Sequence, residues 1–190
     1  MAKRVRKETD VRIRKALIAD VPAIQGLVNR FADERKMLSR SLSEIYENVR
    51  DYFVIDDGGA VVGSAALHVF WGDLAEVRAL AVAPEYQKLG LGLRLLRACC
   101  RDAEKMGIRK VFALTFAPSF FQRAGFRDIS KNDLPHKVWS DCIKCPHFPN
   151  CDEQAVILEL DSAASAQPGE EEPRLARKAV AGRRAKSRAR

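Results

Sequence analysis

Residues 80–93 read Leu80-Ala81-Val82-Ala83-Pro84-Glu85-Tyr86-Gln87-Lys88-Leu89-Gly90-Leu91-Gly92-Leu93, and they are the most informative stretch of the chain. An apolar strand ends before a proline, and a loop with the spacing Gln-x-x-Gly-x-Gly then opens a long helix. Glycine lets backbone N–H groups approach a ligand, and the helix N-terminus adds a partial positive charge. The stretch therefore predicts a pyrophosphate-binding turn, with Lys88 as a nearby full charge.

This turn differs from two common phosphate-binding motifs. A dinucleotide-binding fingerprint would need a third glycine and an acidic ribose ligand in a following βαβ unit. A P-loop would need Gly-Lys-Ser/Thr at its end. Neither feature is present, so the pattern indicates a different phosphate ligand.

Hydrophobic periodicity on both sides of the turn predicts a mixed α/β (α+β) domain without internal repeats. Asp20 precedes Val21-Pro22 and is predicted to cap the first helix, while Ser41 to Glu44 has the form of a capping box. The helix after the turn is predicted from Gly92 to Met106, with Met106 in its buried stripe. The predicted strands are 11–17, 52–55, 60–71, 74–83, 111–115 and 154–160, and a further short helix is predicted at 119–124.

Composition divides the 190 residues into one domain and two basic ends. Residues 1–10 form a basic extension, 11–160 the globular domain, and 161–190 a tail that is too poor in apolar residues to fold alone. The ends carry most of the net charge of +8. The tail is either a solubilising segment or an arm that makes weak contacts with RNA or another polyanion. Without an apolar N-terminal segment or an apolar run of 18 residues, we expect a cytoplasmic protein that makes no membrane contact.

Two motifs in this order resemble those of the GNAT acyltransferases. Gln87, Gly90 and Gly92 match the acetyl-CoA motif, and Phe120-Phe121 followed by Gly125-Phe126 matches a later signature, so that the similarity covers about residues 11–160. The resemblance implies a central, mostly antiparallel sheet with a splayed strand pair and helices on both faces. It also implies acetyl-CoA as co-substrate, bound by Leu80, Ala81, Val82, Gln87, Lys88, Leu89, Gly90, Leu91, Gly92, Leu93 and Phe121.

A narrower resemblance points to the acceptor. Residues 38–41, 74–82 and 134–142 are similar to short, stand-alone amino-acid N-acetyltransferases of the N-acetylglutamate synthase type in arginine biosynthesis. The resemblance implies glutamate as a small-molecule acceptor, with Arg40, Arg78 and Lys137 as candidates to bind its two carboxylates, because arginine holds a carboxylate in a bidentate fork. The alternatives are a protein or peptide N-acetyltransferase, or an acyl-CoA-binding protein tethered to RNA or the ribosome.

Glu76 is the candidate catalytic base, since an ammonium group must lose a proton before it attacks a thioester. It lies on the strand expected beside the pantetheine and matches the position of the base in several GNAT enzymes. The alternative is an exposed carboxylate that pairs with Arg78, two residues along on the same face. Phe121 occupies the position of a tyrosine that protonates the leaving thiolate in many members. Phenylalanine cannot donate a proton, so the donor is left unassigned.

Three cysteines and a histidine form the run Cys142-x-x-Cys145-Pro-His147-x-x-x-Cys151. Since the chain shows no export signal, these cysteines are expected to be reduced. Cys-x-x-Cys is half of a common zinc site, so a structural zinc next to the acceptor pocket is one interpretation. A tight loop of free thiols and a redox-sensitive pair are the others.

Overall fold

The computed structural model describes residues 11–134, 142, 145 and 150–160. The predicted basic ends, Lys137 and His147 lie outside the described residues, so the domain boundaries at 11 and 160 stay predictions. Within the described part of the chain, no helix is long and apolar enough to span a membrane.

Within the described residues, seven strands and four α-helices follow one another in a mixed order. The strands are β1 (Val11–Lys15), β2 (Tyr52–Asp57), β3 (Ala60–Trp71), β4 (Leu74–Val82), β5 (Lys110–Thr115), β6 (Arg127–Ile129) and β7 (Gln154–Glu159). The helices are α1 (Val21–Asp33), α2 (Leu42–Glu47), α3 (Leu91–Lys105) and α4 (Pro118–Gln122). Only β6 was not predicted, and three residues are too few to carry a period-two pattern.

The strands form one sheet in the order β1-β2-β3-β4-β5-β7-β6. All neighbours are antiparallel except β4 and β5, which run parallel. The predicted mostly antiparallel sheet is therefore confirmed. The parallel pair extends only from Leu74/Lys110 to Glu76/Phe112, so β4 and β5 separate after Glu76.

Apolar side chains on the two faces of the sheet pack against different helices. One face packs on α3 through a core that includes Leu95, Leu96 and Cys99. The opposite face carries a second core under α1 and α2, which includes Ile24 and Ile45. A third, smaller core on that same face lies over β5 and β7 and contains Phe112. Helices on both faces confirm the predicted layering.

Two local predictions need correction. The Asp20 side chain makes no capping hydrogen bond to α1. It accepts instead from Arg14 and from the backbone N–H of Leu17, because both donors lie closer than the first turn of the helix. Met106 is 51 % exposed because α3 ends at Lys105, and Ile108 enters the core beyond the turn. At α2 the Ser41 half of the capping box is confirmed, whereas the Glu44 side chain bonds Arg40.

A buried ion-pair network fastens β1 to the domain. Arg14 donates two hydrogen bonds to Asp20, at 2.6 and 3.0 Å, and one to Asp56 at 2.8 Å. Both carboxylates are nearly buried, whereas Arg12, which also reaches Asp56, is 75 % exposed. Hydrogen bonds from Arg14 lower the pKa of Asp20 and bring the pKa of Asp56 to about 2. Arg12 and Arg14 therefore contact the same carboxylate, Asp56, but differ greatly in burial.

We expect Arg14→Met to destabilise the fold far more than Arg12→Met. Removing Arg14 leaves Asp20 buried without its cation, which costs about 3 kcal/mol, or roughly 6–10 °C in melting temperature. The exposed Arg12 contributes less than about 1 kcal/mol. Because the carboxylate pKa values are lowered, the stability from Arg14 is complete above about pH 4 and is lost as the pH falls toward 2. In thermal unfolding the gap between wild type and Arg14→Met should therefore narrow at pH 3. Equal melting temperatures for the two variants at pH 7 would contradict this expectation.

Candidate active site

The opening between β4 and β5 is extended by a bulge in β4. Ser64 and Ala66 of β3 are two residues apart, but their partners on β4, Ala81 and Arg78, are three residues apart. Strand β4 therefore contains one extra residue here. Ala79 has a φ of 53°, a left-handed conformation that is strained for a residue with a Cβ. The Ser64 hydroxyl donates to the Ala79 carbonyl at 3.3 Å. Among the described residues, the part of β4 that includes the predicted cofactor residues Leu80 to Val82 has no strand partner on its β5 side.

The loop after β4 is braced at two points before α3 begins. The Gln87 side-chain amide donates to the Val82 carbonyl at 3.0 Å, and the Tyr86 hydroxyl donates to Asp57 at 2.5 Å. Gly90, with a φ of 75°, is the N-cap of α3, so the N–H groups of the first helical turn have no acceptor within the helix. The predicted phosphate-binding turn therefore has backbone N–H groups at the start of α3 that are free to bind a phosphate. The Gln87 side chain holds the loop against the end of β4.

Close packing explains the second glycine of the motif. A Cβ at Gly92 would lie 3.3 Å from the Phe120 ring, so a side chain there would press on α4. Phe121 is buried and meets Phe120 and Phe126 edge to face, with ring centroids 5.2 and 5.3 Å apart. The aromatic signature thus packs α4 against the start of α3. A contact between Phe121 and the cofactor stays a prediction, and Phe120 is the ring adjacent to the turn.

Tyr86→Phe should weaken the binding of acetyl-CoA without changing the chemical step. The variant loses the hydrogen bond to Asp57 that holds the loop after β4 in place. We therefore expect KM for acetyl-CoA to rise roughly fivefold to tenfold while kcat stays within twofold. Tyr46→Phe on the exposed face of α2 is the matched control. Steady-state kinetics with varied acetyl-CoA would measure both variants. An unchanged KM in Tyr86→Phe would mean that this hydrogen bond does not position the loop.

A polar strip crosses the sheet face between the second and third cores. It consists of Asp51 before β2, His68 on β3, and Glu76 and Arg78 on β4, with Arg40 reaching in from the loop before α2. The Glu76 side chain is only 13 % exposed. Burial raises its pKa from the ordinary 4.5 to about 7, against the opposing effect of the charges on Arg78, Arg40 and His68. A carboxyl group that is half ionised near neutral pH is suited to accept and release a proton.

Arg78 and Arg40 place two cations beside this carboxyl group. Nη1 of Arg78 is 3.9 Å from Oε2 of Glu76, too long for a hydrogen bond, and both side chains are 13 % exposed. Arg78 and Glu76 therefore share a face, as predicted, but the pair is buried rather than a surface ion pair. The Arg40 side chain is 18 % exposed and uses Nη1 to bond Glu44. Within the described residues its Nε and Nη2 groups make no hydrogen bond, so they can serve a ligand.

Helix α1 fixes the position of Arg40. The Asn29 side chain accepts from the backbone N–H of Arg40 at 2.8 Å and donates to its carbonyl at 3.1 Å. Gln25 also donates to the Arg40 carbonyl, at 3.4 Å. This two-sided contact ties an otherwise irregular loop to a helix, and it directs the guanidinium of Arg40 toward the polar strip.

Three of the five described cysteines, Cys142, Cys145 and Cys151, lie near the polar strip. The backbone N–H of Cys145 donates to the carbonyl of Cys142 at 2.9 Å. Burial raises the pKa of the Cys142 thiol, and the neighbouring Cys151, Cys145 and Glu76 raise it further. All three thiols are free. Among the described residues no group of three or more His, Cys, Asp or Glu side chains is arranged to hold a metal. With His147 outside the described residues, the structural zinc stays an untested prediction.

Sequence reasoning missed two members of the polar strip, Asp51 and His68. Nδ1 of His68 is 2.9 Å from Oδ2 of Asp51, and the two side chains are 29 % and 28 % exposed. His68 pairs with Glu76 across β3 and β4. A lone histidine in an apolar strand carries no signal in the sequence, because its partner Asp51 is seventeen residues away. The strand register alone brings the three groups together.

In this chain the sheet opens beside the N-terminus of α3, and a buried carboxyl group with a raised pKa, that of Glu76, lies where the opening begins. Residues 22–126 match the acetyltransferase (GNAT) family. An uncharacterized N-acetyltransferase of Chlorobaculum tepidum is 38% identical over 151 residues, which are 80% of this chain and 97% of that protein. The chain belongs to the GNAT acetyltransferase family.

Two further proteins are similar to this chain and have named activities or ligands. An amino-acid acetyltransferase of Mycobacterium tuberculosis is 36% identical over 132 residues, which are 68% of this chain and 75% of that protein. The crystal structure of N-acetylglutamate synthase from Neisseria gonorrhoeae, complexed with coenzyme A and N-acetyl-glutamate, matches with a TM-score of 0.74 and 29% identity. That match covers 82% of this chain but only 36% of the gonococcal chain.

Proposed function

We propose that this protein transfers the acetyl group of acetyl-CoA to the α-amino group of L-glutamate, giving N-acetylglutamate and CoA. The amine attacks the thioester directly, Glu76 accepts its proton, and backbone N–H groups of the open part of β4 stabilise the oxyanion. This reaction would belong to arginine biosynthesis. Similarity to an amino-acid acetyltransferase and to a synthase complexed with N-acetyl-glutamate supports the choice of acceptor.

One observation carries the proposal: the pKa of Glu76 is about 7 at the point where β4 and β5 separate. A carboxylate with an ordinary pKa is a weak base toward an ammonium group, whereas a group that titrates near neutral pH removes the proton more effectively. The carboxyl group also stands next to the part of β4 whose strand edge is open to a pantetheine arm. The base and the thioester would therefore meet in one place.

The charges of the polar strip support an acidic amino acid as acceptor. Arg40 and Arg78 are two largely buried cations near Glu76, which is partly protonated, and Arg40 is also paired with Glu44. A dicarboxylate substrate would balance these charges, because each guanidinium can hold a carboxylate in a fork. Lys137 stays a third proposed contact. An amino acid with an uncharged or basic side chain would offer only its α-carboxylate to the two arginines.

The test measures the release of free CoA from acetyl-CoA with each of the twenty amino acids in turn. The thiol signal of the protein's own five cysteines is measured in a control that lacks acetyl-CoA and is subtracted. We expect turnover with glutamate to exceed that with any other amino acid by at least tenfold. Mass spectrometry of the product should give N-acetylglutamate.

The competing outcomes are distinct. Equal turnover with glutamate and glutamine would mean that the arginines bind only the α-carboxylate. Absence of turnover with every amino acid would overturn the proposed acceptor while leaving the family unchanged. Peptides, polyamines and ribosomal proteins would then be the acceptors to test.

A further inference from the structure

The Asp51–His68 pair lies next to Glu76 and has no role in the reaction as described above. Because His68 and Glu76 are direct cross-strand partners, their side chains stand on the same face with Cβ atoms about 5 Å apart. Asp51 holds one edge of the imidazole at 2.9 Å, and Phe70 meets the ring edge to face at a centroid distance of 5.3 Å. The imidazole is therefore fixed beside the carboxyl group rather than free in solvent.

The proposed reaction generates a proton that must leave this site. The acceptor enters as an ammonium group with three N–H protons, and it loses one of them before the C–N bond forms and the C–S bond breaks. One proton stays on the amide nitrogen, one ends on the departing thiolate of CoA, and one is released to solvent. If Glu76 takes a proton from the amine, it has to pass that proton on before the next turnover.

The side chains of His68 and Asp51 are more exposed to solvent than that of Glu76. The Glu76 side chain is 13 % exposed, and an acceptor bound over it would cover it further. His68 and Asp51 are 29 % and 28 % exposed, so they reach solvent beside the acceptor. A carboxylate at Nδ1 accepts the N–H of that nitrogen and leaves a lone pair on Nε2 of the neutral ring. His68 can then accept a proton on Nε2, and Asp51 stabilises the imidazolium that forms.

We propose that the Asp51–His68 pair is a proton relay that carries the proton from Glu76 to solvent during acetyl transfer. This inference rests on the proposed function of Glu76 as the base. The pair acts through Glu76 and does not itself contact the reacting atoms.

Other charged groups that face Glu76 favour the return of its ionised form. Arg78 faces it from β4 and Arg40 from the loop before α2, and both cations stabilise the carboxylate. Glu153, in the segment before β7, acts in the opposite direction, and Cys142 lies close enough for Glu76 to raise its pKa. Transfer of the proton from Glu76 to His68 therefore restores a carboxylate that is stabilised by the charges of Arg78 and Arg40.

The decisive variant is His68→Asn. The asparagine amide can still donate to Asp51 from a position near that of Nδ1, but it cannot carry a proton. We expect kcat to fall at least tenfold, with KM for both substrates within twofold, and imidazole added to the buffer to restore kcat in a concentration-dependent way. Asp73→Asn, which removes an exposed aspartate paired with Lys110 in the turn between β3 and β4, is the control. A kcat within twofold of wild type, or a lowered kcat that imidazole does not raise, would overturn the relay.

A second measurement does not depend on the acceptor. The imidazole signals of His68 are followed by NMR between pH 4 and 9 in wild type and in Glu76→Gln. A relay requires the two groups to titrate as a coupled pair, so the substitution should shift the His68 titration. Identical titration curves would overturn the relay. Failure of the proposed function would appear differently, as absence of wild-type turnover with every amino acid.

Discussion

Glu76→Gln should lower kcat by about 10²- to 10⁴-fold, which is the largest effect expected from any single substitution in this protein. Glutamine keeps the size and most of the polarity of the side chain but cannot accept a proton. In wild type, kcat/KM should rise with pH through about 7, because the base acts only when it is ionised and its pKa in the free protein is about 7. The variant should lack this dependence. A pH series of kcat and of kcat/KM measures both effects.

Stability distinguishes a lost base from a damaged fold in the same variant. Because burial raises the pKa of Glu76, the folded protein keeps a proton that the unfolded chain releases above about pH 4.5. Folding is therefore penalised as the pH rises from 4.5 to 7, and Glu76→Gln removes the penalty. We expect the variant to melt at a higher temperature than wild type at pH 8 while being nearly inactive.

Glu153→Gln serves as the matched carboxylate control. Glu153 raises the pKa of Glu76, so this variant should keep kcat at high pH and move the rise of kcat/KM to lower pH. If Glu76→Gln retained more than a tenth of the wild-type kcat, Glu76 would not be the base.

Arg40→Ala should raise KM for glutamate about 30- to 100-fold and leave KM for acetyl-CoA within twofold. The expected size corresponds to the loss of a charged, bidentate hydrogen bond to a carboxylate, about 2–3 kcal/mol. Because the Arg40 charge also lowers the pKa of Glu76, the rise of kcat/KM with pH should move to higher pH in this variant. Steady-state kinetics with varied glutamate at several pH values would measure both changes.

Arg40→Lys separates the two contributions of Arg40. Lysine keeps the positive charge but lacks the planar fork, so KM should stay high while the pH dependence stays close to that of wild type. Unchanged KM for glutamate in both variants would show that Arg40 binds only Glu44 and not the substrate.

Much of the cofactor side of the site could be predicted from the sequence because its signals are local. The Gln-x-x-Gly-x-Gly spacing, the proline that ends β4 and the apolar stripe of α3 all lie within about thirty consecutive residues. The structure places the free N–H groups of α3 beside the open end of β4, as the pattern indicated. The details that differ, Asp20 and Met106, depend on which tertiary neighbour comes nearest at the end of a helix.

The sequence alone determined the family-defining turn, the alternation of strands and helices, and Glu76 as a candidate base on the strand expected beside the pantetheine. Only the tertiary structure decided how that carboxyl group ionises, because its pKa depends on burial and on Arg40, Arg78 and His68, three residues from three different parts of the chain. Likewise, Asp51 and His68 become a pair through the register of β2, β3 and β4. Spacing along the chain records local geometry, whereas electrostatic coupling depends on distance in space.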